Sequence, residues 1–444
     1  MISSKHNIIS KVKNSDSHFV VNLLSGQADL LTSAEAESLK ITPENSQIDE
    51  SNIENFIENG YLTSPENEKR LYKNRYFDFI DQRDDEEIQL FFVPNYSCNF
   101  ACTYCYQDEY TNPNQIATPE IVNAFFEYLK SEFANRRKYI TIFGGEPLLN
   151  STRQREIIEL IVEKSSEAGI EICVVTNGYY LEEYIEILKK GLVREIQVTL
   201  DGTQQVHDSR RFLKGGLTTF EKIVKGVDLC LDSQISINMR MVIDKQNIDN
   251  LIDLSAFAIK KGWTANPLFK TQIGRNYELH HCQSTPDQLF TRISLFEKIF
   301  QLTEEHPHIL EFYRPSYSVA KYLKENGKLP DPLFDACPAC KSEWAFDYNG
   351  RIYSCTATVG KEGEMLGTFY PEITKNNALI QEWVSRDVTN IEECKECSLQ
   401  LACGGGCGSV AKNNHGSVLS PDCRPVKELL EIGFVAWFKE ELSN

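Results

Sequence analysis

No run of about 20 consecutive apolar residues occurs in the chain, so no membrane-spanning helix is expected. The first residues, MISSKHNIISKVKNSDS, lack the apolar stretch of a secretory signal. No dense Lys/Arg run interrupts a formal net charge of -18, which disfavours a protein that grips nucleic acid through its phosphates. Internal repeats and low-complexity tracts are also missing, apart from recurring thiol spacings. These absences predict a soluble, cytoplasmic protein that binds neither membrane nor nucleic acid.

What is present is cysteine. The 444 residues hold 14 of them, and without a secretion signal this points to metal or redox use rather than a disulfide framework. Cys98, Cys102 and Cys105 cluster early; Cys337, Cys340, Cys355, Cys394, Cys397, Cys403, Cys407 and Cys423 crowd the last quarter. Cys173, Cys230 and Cys282 stand alone and read as small buried hydrophobes. The length exceeds one compact core, and 41% hydrophobic with 25% charged residues reads as globular.

Residues 1–85 read as a small strand-and-helix module. HFVVNLLSGQADLLT is an apolar hairpin turning at Ser25 and Gly26. TSAEAESLK opens with Thr32 or Ser33 as N-cap and Glu35 or Glu37 to complete it, and the next helix ends at Gly60. The mixed-charge stretch ENEKRLYKNRYFDFIDQRDDEE reads as a connector. Residues 86–310 alternate strands (IQLFFVP, YITIFGGEP, IEICVVTNG, EIQVTLDG, ISINMRMVID) with helices, one of them capped by Thr118 and Pro119. Five or six β-α units predict a parallel sheet, open or closed into a barrel, with chemistry at the C-terminal strand ends. Residues 311–444 turn helical, then loop-rich and full of cysteine; they bury little apolar area and are expected to fold around metal.

The spacing C-x3-C-x2-C lets one loop deliver Cys98, Cys102 and Cys105 to one metal group. Structural zinc wants four ligands and no fourth lies near, although a distant thiol could complete it. A 4Fe-4S cubane held by three thiolates leaves one iron open. The triplet, with Tyr104 before its third cysteine, resembles the signature of the radical S-adenosylmethionine (SAM) enzymes. That resemblance implies an open iron that chelates SAM, reductive cleavage to a 5'-deoxyadenosyl radical, and hydrogen abstraction from substrate.

One β-α unit on, FGGEP looks like the family motif that binds the SAM amino group, through Gly144, Gly145 and Glu146. Paired glycines let backbone approach a ligand closely. Thr176 and Asn177 of TNG, and Thr199 and Asp201 of TLDG, fit the same cavity. The resemblance implies that Thr199 and Arg211 hold the SAM carboxylate, with Arg210 as the competing match; a guanidinium fork suits that group. His207 and Asp208 read as a helix-start pair, and His280, His281 and Cys282 as an exposed polar turn.

The late cysteines match the seven-cysteine SPASM pattern of that family, for which zinc ribbons are the plain alternative. The pattern implies two auxiliary 4Fe-4S clusters, one on Cys337, Cys340, Cys355 and Cys407, the other on Cys394, Cys397, Cys403 and Cys423. Cys337 precedes the seven-cysteine pattern itself. The resulting expectation is an α/β fold: a partial (β/α)6 TIM-like barrel, an N-terminal winged-helix-like (RRE-like) peptide-recognition module, and a C-terminal SPASM domain with its bridging helix. The implied function is a peptide maturase that closes a thioether or carbon-carbon crosslink in a ribosomally made precursor peptide held by its leader. It would use SAM, three 4Fe-4S clusters and an electron donor such as flavodoxin or ferredoxin. A sulfatase-maturing enzyme is the nearest alternative, but that group carries an aspartate where Thr356 follows Cys355. A non-catalytic metal-binding or redox-sensing protein is the alternative of another class.

Overall fold

The computed structural model describes residues 1–40, 50–105, 115–276 and 286–442. The expected turn at His280, His281 and Cys282 lies outside them.

The chain opens with β1 (Ile2–Ser3), β2 (Ile8–Lys11), β3 (His18–Asn22) and β4 (Gln27–Leu31); β2, β3 and β4 form an antiparallel meander. Its second turn passes through Gly26, at φ +79°, as the hairpin reading required. Helix α1 (Ser33–Lys40) starts with a capping box: the Thr32 N–H donates to Glu35 Oε2 at 2.8 Å and the Glu35 N–H donates to Thr32 Oγ1 at 3.3 Å. After α2 (Glu50–Glu58), Gly60 turns the chain at φ +72° into β5 (Leu62–Thr63), which pairs with β1.

The expected connector is instead α3 (Pro65–Asp85), 21 residues capped by Ser64 with Pro65 at its first position. Its charges hide an apolar stripe: Tyr72, Tyr76 and Phe79 recur at helical spacing and close around Phe334. Tyr72 and Tyr76 also donate hydroxyls to Gln400 and Asp387, at 2.7 and 2.8 Å. α3 thus straps the N-terminal module to the cysteine-rich end.

Six β-α units follow as β6 (Ile88–Val93), α4 (Pro119–Glu132), β7 (Lys138–Ile142), α5 (Thr152–Glu167), β8 (Glu171–Thr176), α6 (Leu181–Leu188), β9 (Val193–Thr199), α7 (Gln204–Arg210), α8 (Phe220–Asp232), β10 (Ile237–Ile243), α9 (Leu251–Lys260) and β11 (Phe269–Arg275). The strands are parallel in the order β11-β10-β9-β8-β7-β6, and β11 does not reach β6, so the barrel is partial. Alternation sets its two faces: Met239, Met241 and Ile243 of β10 are fully buried in the core, while Arg240 and Val242 face the interior cavity.

Beyond α10 (Arg292–Glu305), α11 (Ile309–Phe312) and α12 (Ala320–Asn326), β12 (Glu343–Asp347) pairs in parallel with β6. It carries β13 (Arg351–Tyr353), β14 (Gly367–Thr368) and β15 (Thr374–Lys375) with it, so one ten-stranded sheet runs from the barrel into the cysteine-rich region. Helices α13 (Asn377–Val384), α14 (Gln400–Cys403), α15 (Gly408–His415) and α16 (Val426–Trp437) complete that region. The cores cross the three expected divisions. Phe19 of β3 stacks on Phe434 of α16 at 4.5 Å, and Cys337, Cys340 and Cys355 belong to the barrel's core.

Candidate functional site

The cysteine loop leaves the C-terminal end of β6 and is held on two sides. On one side, the Glu146 and Gly145 N–H groups donate to the carbonyls of Ser97 and Asn95, at 2.8 and 3.3 Å. A Cβ on Gly145 would stand 2.3 Å from the carbonyl oxygens of both Ser97 and Tyr96, and one on Gly144, at φ +148°, 2.4 Å from that of Asn95. The paired glycines therefore make room first for the cysteine loop. On the other side the Ala101 and Thr103 N–H groups donate to the carbonyls of Phe212 and Arg210, at 2.9 and 3.1 Å.

Glu146 is buried and ties two strand ends together. Its Oε1 accepts from Thr176 Oγ1 at 2.6 Å and from the Leu148 N–H at 2.7 Å; its Oε2 accepts from the Asn177 N–H at 2.6 Å. Burial pushes the carboxyl up to about 7 against the pull of these donors. The Asn177 amide reaches Asn99 Oδ1 at 2.8 Å and Cys98 Sγ at 3.9 Å. FGGEP, TNG and the thiol loop are thus one assembly.

The structure separates the two competing arginines. Arg210 is engaged by Asp201 (Nε to Oδ2, 3.3 Å) and by Asp244 at 3.0 Å through both terminal nitrogens. Asp201, fully buried, also accepts from the Val242 N–H at 3.0 Å, which commits it to positioning Arg210. Arg211 donates to the Tyr104 hydroxyl at 2.7 Å, and its buried Nε has no hydrogen-bond partner. His207 is fully buried between the Asp201 N–H and Thr219, with burial holding its imidazole well below its usual range. Asp208 caps α8 by accepting from the Thr219 and Phe220 N–H groups at 2.8 and 2.9 Å.

The thiols fall into three groups, and in each the neighbouring thiols add to the burial that raises the proton affinity of at least one member. Burial, the Glu146 carboxyl, and Cys102 and Cys105 push the Cys98 thiol up to about 12. In the second group, burial and then Cys355 and Cys337 raise Cys340, while burial, Glu343, Cys337 and Cys407 raise Cys355. Cys337 belongs here in space as well: a Cβ on Gly408 would stand 3.1 Å from its Sγ. In the third, burial with Cys403, Cys397 and Cys423 pushes Cys394 up to about 11. Among the described residues no three His, Cys, Asp or Glu side chains are arranged to hold a single metal ion. Cys173 and Cys230 are buried away from these groups, as small hydrophobes.

Backbone and charge hold the late loops in shape. Gly404, Gly405 and Gly406 all adopt φ between +60° and +72°, and the fully buried Arg386 donates to the carbonyls of Gly405, Gly406, Val418 and Ser420. A cavity of about 400 Å³ connects the ends of the site: Tyr104 and Thr199 line it from the barrel, and Cys337, Cys355 and Cys407 from the cysteine-rich side. Sequence reasoning missed two of its lining residues. Arg240 lies mid-strand without a motif, and Glu343 accepts from the Thr356 N–H at 3.1 Å, with burial pushing its carboxyl up to about 7.

Residues 92–258 match the family model described as the Radical SAM superfamily. This part of the barrel is a radical SAM domain, and the family implies SAM and a 4Fe-4S cluster. A serine-type anaerobic sulfatase-maturating enzyme of Bacteroides thetaiotaomicron is 25% identical over 355 residues, 70% of this chain and 80% of that one. Among solved structures, anSMEcpe with bound AdoMet superposes with a TM-score of 0.61 at 18% identity, covering 80% of this chain and 98% of that one. Streptococcus suis SuiB bound to precursor peptide SuiA gives 0.51 at 16%, covering 95% and 98%. The residues present suit the implied groups: three thiols on one loop, a buried carboxylate beside them, and an arginine Nε without a partner. Among the described residues no helix is long and apolar enough to cross a membrane.

Proposed function

We propose that this chain is a peptide maturase that takes a hydrogen atom from a ribosomally made precursor peptide and closes an intramolecular thioether or carbon-carbon crosslink. The observation that carries the reading is the cavity shared by Tyr104 and Thr199 with Cys337, Cys355 and Cys407, which offers a substrate both ends of an oxidation at once. When bound, SAM and three 4Fe-4S clusters would supply hydrogen-atom abstraction and removal of an electron. Cys98, Cys102 and Cys105 hold the cluster that meets SAM; Cys337, Cys340, Cys355 and Cys407 hold the second, and Cys394, Cys397, Cys403 and Cys423 the third. Glu146 and the backbone of Gly144 and Gly145 receive the SAM amino group, while Thr199 and Arg211 receive its carboxylate. Thr176 and Asn177 fix Glu146, and Asp201 acts through Arg210. Electrons come from a donor such as flavodoxin or ferredoxin.

SuiB, whose fold extends over 95% of this chain, is known bound to its precursor peptide, which supports a peptide substrate here. The leader would pair with the edge of β4, where Gln27, Asp29 and Leu30 are exposed, by β-augmentation. The other edge strand, β2, packs on α16. Peptides encoded beside the coding sequence provide the test. The reconstituted enzyme should return one of them two hydrogen atoms lighter, and a fully iron-loaded enzyme that leaves all of them unchanged contradicts the reading. Because the module shares core with α16, a Leu30→Asp variant tests leader capture better than deletion of residues 1–85.

One observation favours a second reading, a protein oxidase of the sulfatase-maturing kind. Thr356 replaces the aspartate of that group, yet its N–H is bound to the Glu343 carboxylate, so a carboxylate does line the cavity at that point. Conversion of a synthetic cysteine or serine peptide to an aldehyde would establish it.

A further inference from the structure

Arg240 lies on the interior face of the barrel without an ion-pair partner among the described residues. Arg210 is paired with Asp201 and Asp244, and Arg194 with Glu87 and Glu171. Arg240 forms no ion pair among the described residues, and its buried Nε has no hydrogen-bond partner. Its position is nevertheless built. A Cβ on Gly274 of β11 would stand 2.8 Å from Nε and 2.9 Å from the nearer terminal nitrogen, so glycine there lets the guanidinium lie against the neighbouring strand.

The side chain lines the 400 Å³ cavity below Thr199, its register partner on β9, and also an adjoining cavity of about 350 Å³ toward the N-terminal strand ends. Most of the wall of the larger cavity is apolar or neutral, including Phe143, Val175, Val242 and Gln197, with Arg275 as a second cation; the adjoining cavity carries Arg194, Lys270 and Glu195, and Glu195 is paired with Lys270. The one carboxylate lining the 400 Å³ cavity, Glu343, is held by the Thr356 N–H. A guanidinium in such surroundings favours a planar acceptor with two oxygens, and leaving it unmatched is costly. The chain's net charge of -18 repels acidic peptides on average, so a local cation inside the cavity selects for acid where the average surface does not.

We infer that Arg240 is a specificity-determining residue that receives an Asp or Glu side chain of the peptide in the cavity; this rests on the peptide reading above. The probe is a library of random dodecapeptides, selected for binding to iron-reconstituted, SAM-loaded enzyme. The wild-type pool should enrich Asp or Glu at one position by about tenfold, the worth of one charge-assisted pair. Arg240→Gln should lose that preference, Arg240→Lys should keep it in weaker form, and Arg240→Glu should turn it toward Lys or Arg. A wild-type pool that enriches peptides without an acidic position overturns the assignment, as does an acidic preference that survives in Arg240→Gln. A wild-type pool with no enrichment at all overturns the peptide reading, and the assignment with it.

Discussion

Thr176 donates its hydroxyl to Glu146 Oε1 at 2.6 Å, joining the end of β8 to the motif that closes β7. Thr176 Oγ1 in turn accepts from the Gly178 N–H at 3.0 Å, so Thr176 organises two loops at once. Thr176→Val removes the donor and strands a buried N–H. We expect a loss of about 1–3 kcal/mol of stability, read by denaturant unfolding, and weaker SAM binding by equilibrium dialysis.

Gly145→Ala should act through the thiol loop. Two carbonyls 2.3 Å from the new Cβ must move, and both belong to residues just before Cys98. Overpacking of this kind costs about 1–3 kcal/mol. Iron content after reconstitution should fall by the share of one cluster, with the other eight late thiols still loaded; unchanged iron would show that the loop yields without losing its geometry.

The two neighbouring arginines should fail differently. Arg210→Gln leaves Asp201 and Asp244 facing each other without their cation, for a stability loss of about 3–5 kcal/mol. Arg211→Gln removes a side chain that is hydrogen-bonded to Tyr104 rather than to a carboxylate, so its larger effect should be on SAM affinity. Thermal melts beside SAM titrations separate the two.

The N-terminal module carries a pH dependence of its own. His6 is buried, stacks on Tyr72 of α3 at 5.4 Å, and has no hydrogen bond to either ring nitrogen. Burial, with Lys5 nearby, lowers it from the usual 6.5 to about 4. The folded state therefore binds fewer protons than the unfolded one between these values. Stability is full above pH 6.5 and lost as pH falls toward 4, by on the order of 3 kcal/mol. His6→Phe should flatten that limb of the stability profile; a profile that keeps its slope would place the titration elsewhere.

Much of the site could be read from the sequence because its chemistry sits in short spacings. The C-x3-C-x2-C loop, FGGEP and TNG are each local, and the fold brings them together at adjacent strand ends because parallel strands put successive C-termini side by side. The N-terminal module showed its hairpin and capping box for the same reason. Helix α3 escaped because charge obscured Tyr72, Tyr76 and Phe79, although Ser64-Pro65 was a usable start signal. β12 escaped because pairing with β6 is a contact across some 250 residues that no local pattern records. Arg240 and Glu343 escaped for a related reason: each is ordinary in its own strand and acquires meaning only from the cavity wall opposite. The choice between Arg210 and Arg211 needed Asp244, which lies a strand away.

The most direct test of the account is 5'-deoxyadenosine formation, followed by mass spectrometry with anaerobically reconstituted protein, SAM and a strong reductant. The account predicts product from the wild type and none from the Cys98/Cys102/Cys105 triple alanine variant. A fully iron-loaded wild type that forms none, with or without peptide, would contradict it.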